Sequence, residues 1–192
     1  MTNIKNLKTI LIAVIVGVLG VTIAYAALSS TLNITTNSIT QSTLSWNVGF
    51  QTGTVEATAG GTSDTGRSCG NATVTATSVT VGNTTLSKPD DSCTYQLTIK
   101  NTGTIDAILS SINVIEPTSN TCTVSGASMV CGNLTYKLAT DAAGTSLLTS
   151  NTALNASANK TVYLIVKYTG TSLNSSAVTQ SGGSFSLVFA QK

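Results

Sequence analysis

The chain has 192 residues, of which only 8% are charged, and its formal net charge at pH 7 is +2. It contains no histidine, which excludes Ser-His-Asp and Cys-His nucleophiles and histidine-ligated zinc. Without the two lysines of the first ten residues, basic and acidic residues balance, so no nucleic-acid partner is expected. We expect no enzyme activity, metal or cofactor, although a glycosidase-type pair of distant carboxylates remains an alternative.

The first 26 residues have the three parts of a secretory signal peptide. Two lysines precede an uncharged, apolar run over residues 10–23. Ala24 and Ala26 then supply the small residues at −3 and −1 of a cleavage site, which makes Ala27 the first mature residue. A helix of this run reaches about 21 Å at ~1.5 Å per residue, short of a ~30 Å hydrocarbon core. We therefore expect export and cleavage, with an uncleaved signal anchor as the alternative.

Beyond the signal segment, apolar and polar residues alternate in short runs between turn residues, a pattern typical of half-buried β-strands. The strongest runs cover residues 44–50, 93–99, 162–168 and 185–189, and weaker ones lie near 28–34, 72–81, 105–115 and 129–138. No mature segment has sustained helical periodicity. The sequence therefore predicts one all-β domain over residues 27–192, an antiparallel β-sandwich of the jelly-roll or Ig-like kind, preceded by the apolar signal helix. Trp46, the only tryptophan, is expected to anchor its core.

The four cysteines are an even number in a chain with an export signal, which indicates disulfides. They are Cys69, Cys93, Cys122 and Cys131. Three pairings are possible, and Cys69–Cys93 with Cys122–Cys131 is favoured because the second pair closes a short loop around a Ser-Gly turn. A metal site is disfavoured, since there is no CxxC pair and no histidine.

Several motifs in order along the chain resemble those of known secreted bacterial proteins. Residues 88–95, KPDDSCTY, lead through a strand to residues 100–107, KNTGTIDA, similar to the "PGD…Y…V.N.GT.DA" stretch of Ig-like surface domains. With the W.V.F run at 46–50 and the late strands at 134–138 and 160–168, the chain resembles TasA/camelysin-type surface fibre subunits. Asp90 stands where that pattern usually has Gly, and the cysteines are not part of it. The metalloprotease activity described for camelysin-type proteins does not carry over, because neither histidine nor HExxH is present.

The resemblance implies a secreted structural subunit of an extracellular filament or biofilm matrix fibre. Such subunits polymerise by donor-strand complementation, in which one subunit's N-terminal segment completes the next subunit's sheet. Here that implies a homopolymer, with other surface or matrix proteins as further candidate partners and membrane contact only through the signal segment before cleavage. The candidate donor strand is residues 27–37, with Leu28, Leu32 and Ile34 as inserting side chains.

Three alternatives remain. Residues 27–37 also fit an ordinary first strand folded on its own domain. A monomeric cell-surface adhesin or carbohydrate-binding module would use Tyr95, Tyr136, Tyr163 and Tyr168 as contacts. A pilin-like subunit would retain the N-terminal apolar helix.

Overall fold

The computed structural model describes residues 43–61, 66–117, 121–171 and 184–192, and Thr43–Lys192 belongs to one compact unit. Three features predicted from the sequence lie outside the described residues: the signal segment, the cleavage site at Ala24, Ala26 and Ala27, and the donor strand with Leu28, Leu32 and Ile34. These stay predictions.

The described residues form β-strands and no helices, and every strand pair is antiparallel. The prediction of an all-β fold with antiparallel sheets is confirmed. The strands are β1 (Val48–Phe50), β2 (Gly53–Val55), β3 (Ala57–Gly60), β4 (Ala72–Val74), β5 (Val79–Val81), β6 (Ser92–Asn101), β7 (Ala107–Ile115), β8 (Cys122–Ser125), β9 (Ser128–Cys131), β10 (Leu134–Ala139), β11 (Ala153–Leu154), β12 (Asn159–Tyr168) and β13 (Ser184–Gln191).

A seven-stranded sheet carries the largest share of the core. Its order is β1-β6-β12-β10-β9-β8, and β3 pairs with β6 on the β1 side. The alternation predicted for β6 is observed, because Cys93, Tyr95, Leu97 and Ile99 are buried while the residues between them are more exposed. Apolar residues at every second position all point to one face of a strand, so this face of the sheet becomes the core.

Two three-stranded sheets pack on that face, in the orders β11-β7-β13 and β2-β4-β5. Leu109 of β7, Leu154 of β11 and Val74 of β4 share one buried cluster with the core residues of β6 and β12. The two small sheets are not paired with each other among the described residues. The second side of the core is therefore made of two separate pieces.

One end of the compact unit, here called the Asn101 end, is held by a buried amide. Asn101 Nδ2 donates to the carbonyl oxygens of Ile105 and Leu154 at 2.7 and 3.2 Å, and its Oδ1 accepts the Gly103 amide at 3.0 Å. Because a buried amide without partners costs about 1–3 kcal/mol, these bonds decide where the turn after β6 must lie. The turn leads directly into β7, which starts at the Asn101 end.

The opposite end, here called the Ser92 end, is held by a buried carboxylate. Asp91 Oδ2 accepts the main-chain amides of Ser87 and Lys88 at 3.0 and 2.9 Å, and the Arg67 guanidinium lies 3.6 Å from Oδ1. The preceding residue, Asp90, has a φ of +69°. Glycine adopts this left-handed backbone at the lowest cost, so Asp90 occupies a position that favours Gly.

Trp46 does not anchor the core, so that prediction is wrong. Its side chain is 45% exposed. Val48 lies opposite Asn101, the last residue of β6, so Trp46 lies beyond the end of its partner strand. The alternation continues through residue 46, but the sheet that would bury it has already ended.

Candidate functional site: an apolar groove between two sheet edges

The described residues form a groove between β5 and β13, with a volume of about 1680 Å³. Its floor is the inner face of the seven-stranded sheet. The side chains of the floor are mainly apolar and come from β6, β10 and β12: Leu97, Ile99, Leu138, Val162, Leu164 and Val166. Its walls are residues 76–87 on one side and β13 on the other.

Both strands that border the groove are edge strands. Among the described residues, β5 pairs only with β4, and β13 pairs only with β7. Each therefore has main-chain groups directed away from its single partner, and an unpaired edge of this kind is a template for another strand. Phe185, Leu187 and Phe189 of β13 are half-buried, as are Val79 and Val81 of β5.

The two edges run in opposite directions. β4 starts beside β6 near Gly70, whose carbonyl oxygen accepts the Tyr95 hydroxyl at 2.9 Å, so β4 runs from the Ser92 end towards the Asn101 end and β5 runs back. β13 finishes at the Asn101 end, where the Lys192 amide donates to the Asp106 carbonyl oxygen. A strand placed between β5 and β13 would consequently be parallel to one and antiparallel to the other.

Tyr95 holds the β5 wall in place. Its hydroxyl donates to the Gly70 carbonyl oxygen and lies 3.0 Å from Thr84 Oγ1. Burial raises the pKa of the Tyr95 phenol above its ordinary value of 10.0, although the Thr84 hydrogen bond lowers it slightly. The phenol therefore stays neutral and hydrogen-bonded across the ordinary pH range.

The two disulfides fix the surroundings of the groove, and they are the pairs favoured from the sequence. Cys69–Cys93 ties the segment before β4 to β6, with a Cα–Cα distance of 5.7 Å. Cys122–Cys131 joins directly opposed residues of the β8–β9 hairpin, with a Cα–Cα distance of 4.3 Å. Cys122, Met129 and Cys131 form a small buried cluster against Val114, Tyr136 and Phe185. Burial raises the pKa of the Tyr136 phenol.

The acidic groups with contacts in the described part of the chain lie in turns, loops and ion pairs. No group of three or more His, Cys, Asp or Glu that could hold a metal occurs there, and all four cysteines are bonded. Asp90 pairs with Lys167 at 2.9 Å, and Asp106 Oδ1 accepts the Ala156 amide at 2.7 Å. Asp141 accepts the Thr145 and Ser146 amides, which lowers its pKa to about 2. These acids serve turns and loops.

The tyrosines considered as sugar contacts lie in different places. Tyr95 and Tyr168 are buried, and Tyr136 is half-buried beside the disulfide hairpin. Tyr163 lies on the outer face of the large sheet, where it lines a depression of about 200 Å³ with Thr58, Thr94, Gln96 and Ala142. The four therefore do not form one contact surface.

Sequence reasoning did not find the groove. It predicted β13 from the Phe185-Leu187-Phe189 alternation and a strand over residues 72–81, but alternation does not state which edges stay unpaired. The described residues contain no helix that is both long and apolar enough to cross a membrane. No family model, curated protein or solved structure matches the chain.

Proposed function

We propose that this protein is a structural subunit of an extracellular filament or biofilm matrix fibre, which assembles by donor-strand complementation. The observation that carries the proposal is the groove, an apolar floor bordered by two edge strands without partners among the described residues. The donor is the mature N-terminal segment, residues 27–37, of a neighbouring copy. With the donor in place, β2-β4-β5, the donor and β13-β7-β11 form one continuous sheet. The complete domain is then a β-sandwich of the jelly-roll or Ig-like kind.

The donor segment has the pattern that the groove requires. Leu28, Leu32 and Ile34 are separated by even numbers of residues, so an extended strand directs all three side chains to one face. Full burial of such side chains contributes about 1.5–3 kcal/mol each. Main-chain hydrogen bonds to both edges add affinity that does not depend on side-chain identity.

The disulfides and the scarcity of charge support the same proposal. Two disulfides in one domain fit an oxidising compartment, which is where a secreted subunit folds. A surface with little charge opposes self-association weakly, which suits a molecule that polymerises. Signal cleavage would release the donor strand only outside the cell, so polymerisation would begin there.

Negative-stain microscopy of the secreted protein, with N-terminal sequencing of the same sample, tests the proposal. We expect filaments whose subunits begin at Ala27 or Leu28. Deletion of residues 27–37 is expected to leave folded monomers. Replacing Leu28, Leu32 and Ile34 with Ser is expected to abolish filaments, whereas replacing Ser29, Thr31 and Asn33 with Ala is a matched control on the opposite face. Monomers beginning at Ala27 would overturn the proposal, and filaments that retain residues 10–23 would favour a pilin-like subunit.

A second candidate is a monomeric adhesin with a carbohydrate-binding site. The observation that favours it is the depression beside Tyr163, whose polar neighbours Thr94 and Gln96 lie next to an aromatic ring. Glycan-array binding that is lost in Tyr163→Ala, in a protein that stays monomeric, would support this candidate over the filament.

A further inference from the structure

We infer that consecutive subunits meet end to end, with Leu44 and Trp46 at the Asn101 end of one copy packed against Ile115 at the Ser92 end of the next copy. The inference rests on the proposed function and names the contact that accompanies the donor strand. The partner is a second copy of this chain.

The first support is the placement of exposed apolar side chains at opposite ends. Leu44 and Trp46 are 68% and 45% exposed and lie at the Asn101 end, whereas Ile115, which is 56% exposed, is the last residue of β7. β7 starts at the Asn101 end, and its nine residues span about 30 Å at ~3.3 Å per residue. Two different patches at opposite ends match in a head-to-tail contact, which builds an open filament when the rotation between copies does not close a ring.

The second support is that the Trp46 segment is held firmly by the main chain. The Thr102 and Thr104 amides donate to the carbonyl oxygens of Asn47 and Ser45, both at 2.9 Å. The segment passes so closely over Gly103 that a Cβ there would collide with the Ser45 carbonyl oxygen. Leu44 and Trp46 are thus presented at low conformational cost, which is the property of an anchor residue in an interface.

The third support is the length of the chain between the donor and the domain. Residues 38–42 connect the donor strand to Thr43, and the six steps from residue 37 to Thr43 span at most about 20 Å at ~3.4 Å per residue. The groove of the accepting copy must therefore begin within that distance of the Asn101 end of the copy that supplies the donor strand. This limit keeps the Leu44 and Trp46 patch close enough to the neighbouring copy for an end-to-end contact.

The direction of the donor strand follows from this arrangement. Its C-terminal side enters the acceptor at the Ser92 end, so the strand runs antiparallel to β13 and parallel to β5. A segment folded back into its own groove would enter from the Asn101 end and run antiparallel to β5. The direction of the strand relative to β5 therefore distinguishes insertion into a neighbouring copy from insertion into the groove of the same copy.

Fluorescence of the single tryptophan tests the contact directly. The full-length chain is expressed with its export segment, and monomeric and filament fractions of the secreted protein are separated by ultracentrifugation. We expect the Trp46 emission to shift to shorter wavelength in the filaments.

We also expect Ile115→Ser to lower the filament fraction about fivefold, as removal of an interface anchor does. Val188→Ser is the matched control, because Val188 is 41% exposed on the side of β13 away from the groove lining.

Filaments with an unchanged Trp46 emission would overturn this inference and leave the proposed function standing. An equal effect of Ile115→Ser and Val188→Ser would also overturn it. Absence of filaments from the wild-type protein would overturn the proposed function together with this inference.

Discussion

At the Asn101 end, the buried amide finds all its hydrogen-bond partners within the domain, whereas the groove is bordered by strands whose outer edges have no partner among the described residues. The two regions share the same large sheet and the same alternating strands. They differ in whether neighbouring segments of the same domain cover the end of the sheet. At the Asn101 end, the turn after β6 and the segment around Leu154 cover it. The difference teaches that a core can be closed at one place while two strand edges at another place stay unpaired among the described residues.

The largest expected difference between paired variants, about 1.5 kcal/mol, comes from equal leucine truncations in the two regions. Leu109→Ala removes a fully buried side chain and is expected to destabilise the monomer by about 3 kcal/mol, because a cavity remains. Leu187→Ala removes a half-buried groove side chain, so about half that cost is expected. Urea unfolding of both monomeric variants measures the difference. Equal losses would contradict the distinction between the buried core and the half-buried wall of the groove.

The next effect concerns the two disulfides. Replacing both Cys69 and Cys93 with Ala is expected to cost about 3.5 kcal/mol, and replacing Cys122 and Cys131 about 2.5 kcal/mol, because the first bridge closes the longer loop. The sequence separations are 24 and 9. Denaturant midpoints of the two double variants give the order. A reversed order would show that the β8–β9 hairpin depends more on its bridge than the segment before β4 does.

A local test outside the groove uses Asp141, which follows β10 and whose carboxylate accepts two main-chain amides. Its pKa is lowered from 3.8 to about 2, first by the Thr145 amide and then by the Ser146 amide. The folded state therefore favours the ionised form, so this contribution to stability is present above about pH 4 and is lost as the pH falls towards 2. We expect Asp141→Asn to remove that part of the acid dependence in a pH series of unfolding curves. A wild-type slope between pH 4 and 2 in this variant would contradict the assignment.

The smallest expected effect is at Asp90, in the turn that supports the Ser92 end of β6. Its φ of +69° favours glycine, so Asp90→Gly is expected to be more stable than Asp90→Ala by about 1 kcal/mol. Both variants lose the exposed ion pair with Lys167, which makes them matched for charge. The thermal unfolding midpoints of the two variants measure this difference in stability. A more stable alanine variant would show that this backbone conformation is not retained.

The strand content could be predicted from the sequence because it is a local property. Alternation located β6, β12 and β13 within a few residues, and the even cysteine count with a short Ser-Gly loop led to the observed disulfide pairs. Trp46 was misplaced because alternation cannot show where the neighbouring strand stops. The groove could not be predicted because it depends on which strands become neighbours. That choice is made by contacts between residues far apart in sequence, such as Ala107 with Gln191.

If the groove is filled by another molecule, stability is not a property of one chain. A monomer would then be a folding intermediate that persists, and its last strand would arrive by a bimolecular reaction. Its thermal midpoint would rise with protein concentration, as for any protein whose native state is selected by binding. The cell would control when folding ends by controlling when two copies meet, and each filament would retain one incomplete fold at its growing tip.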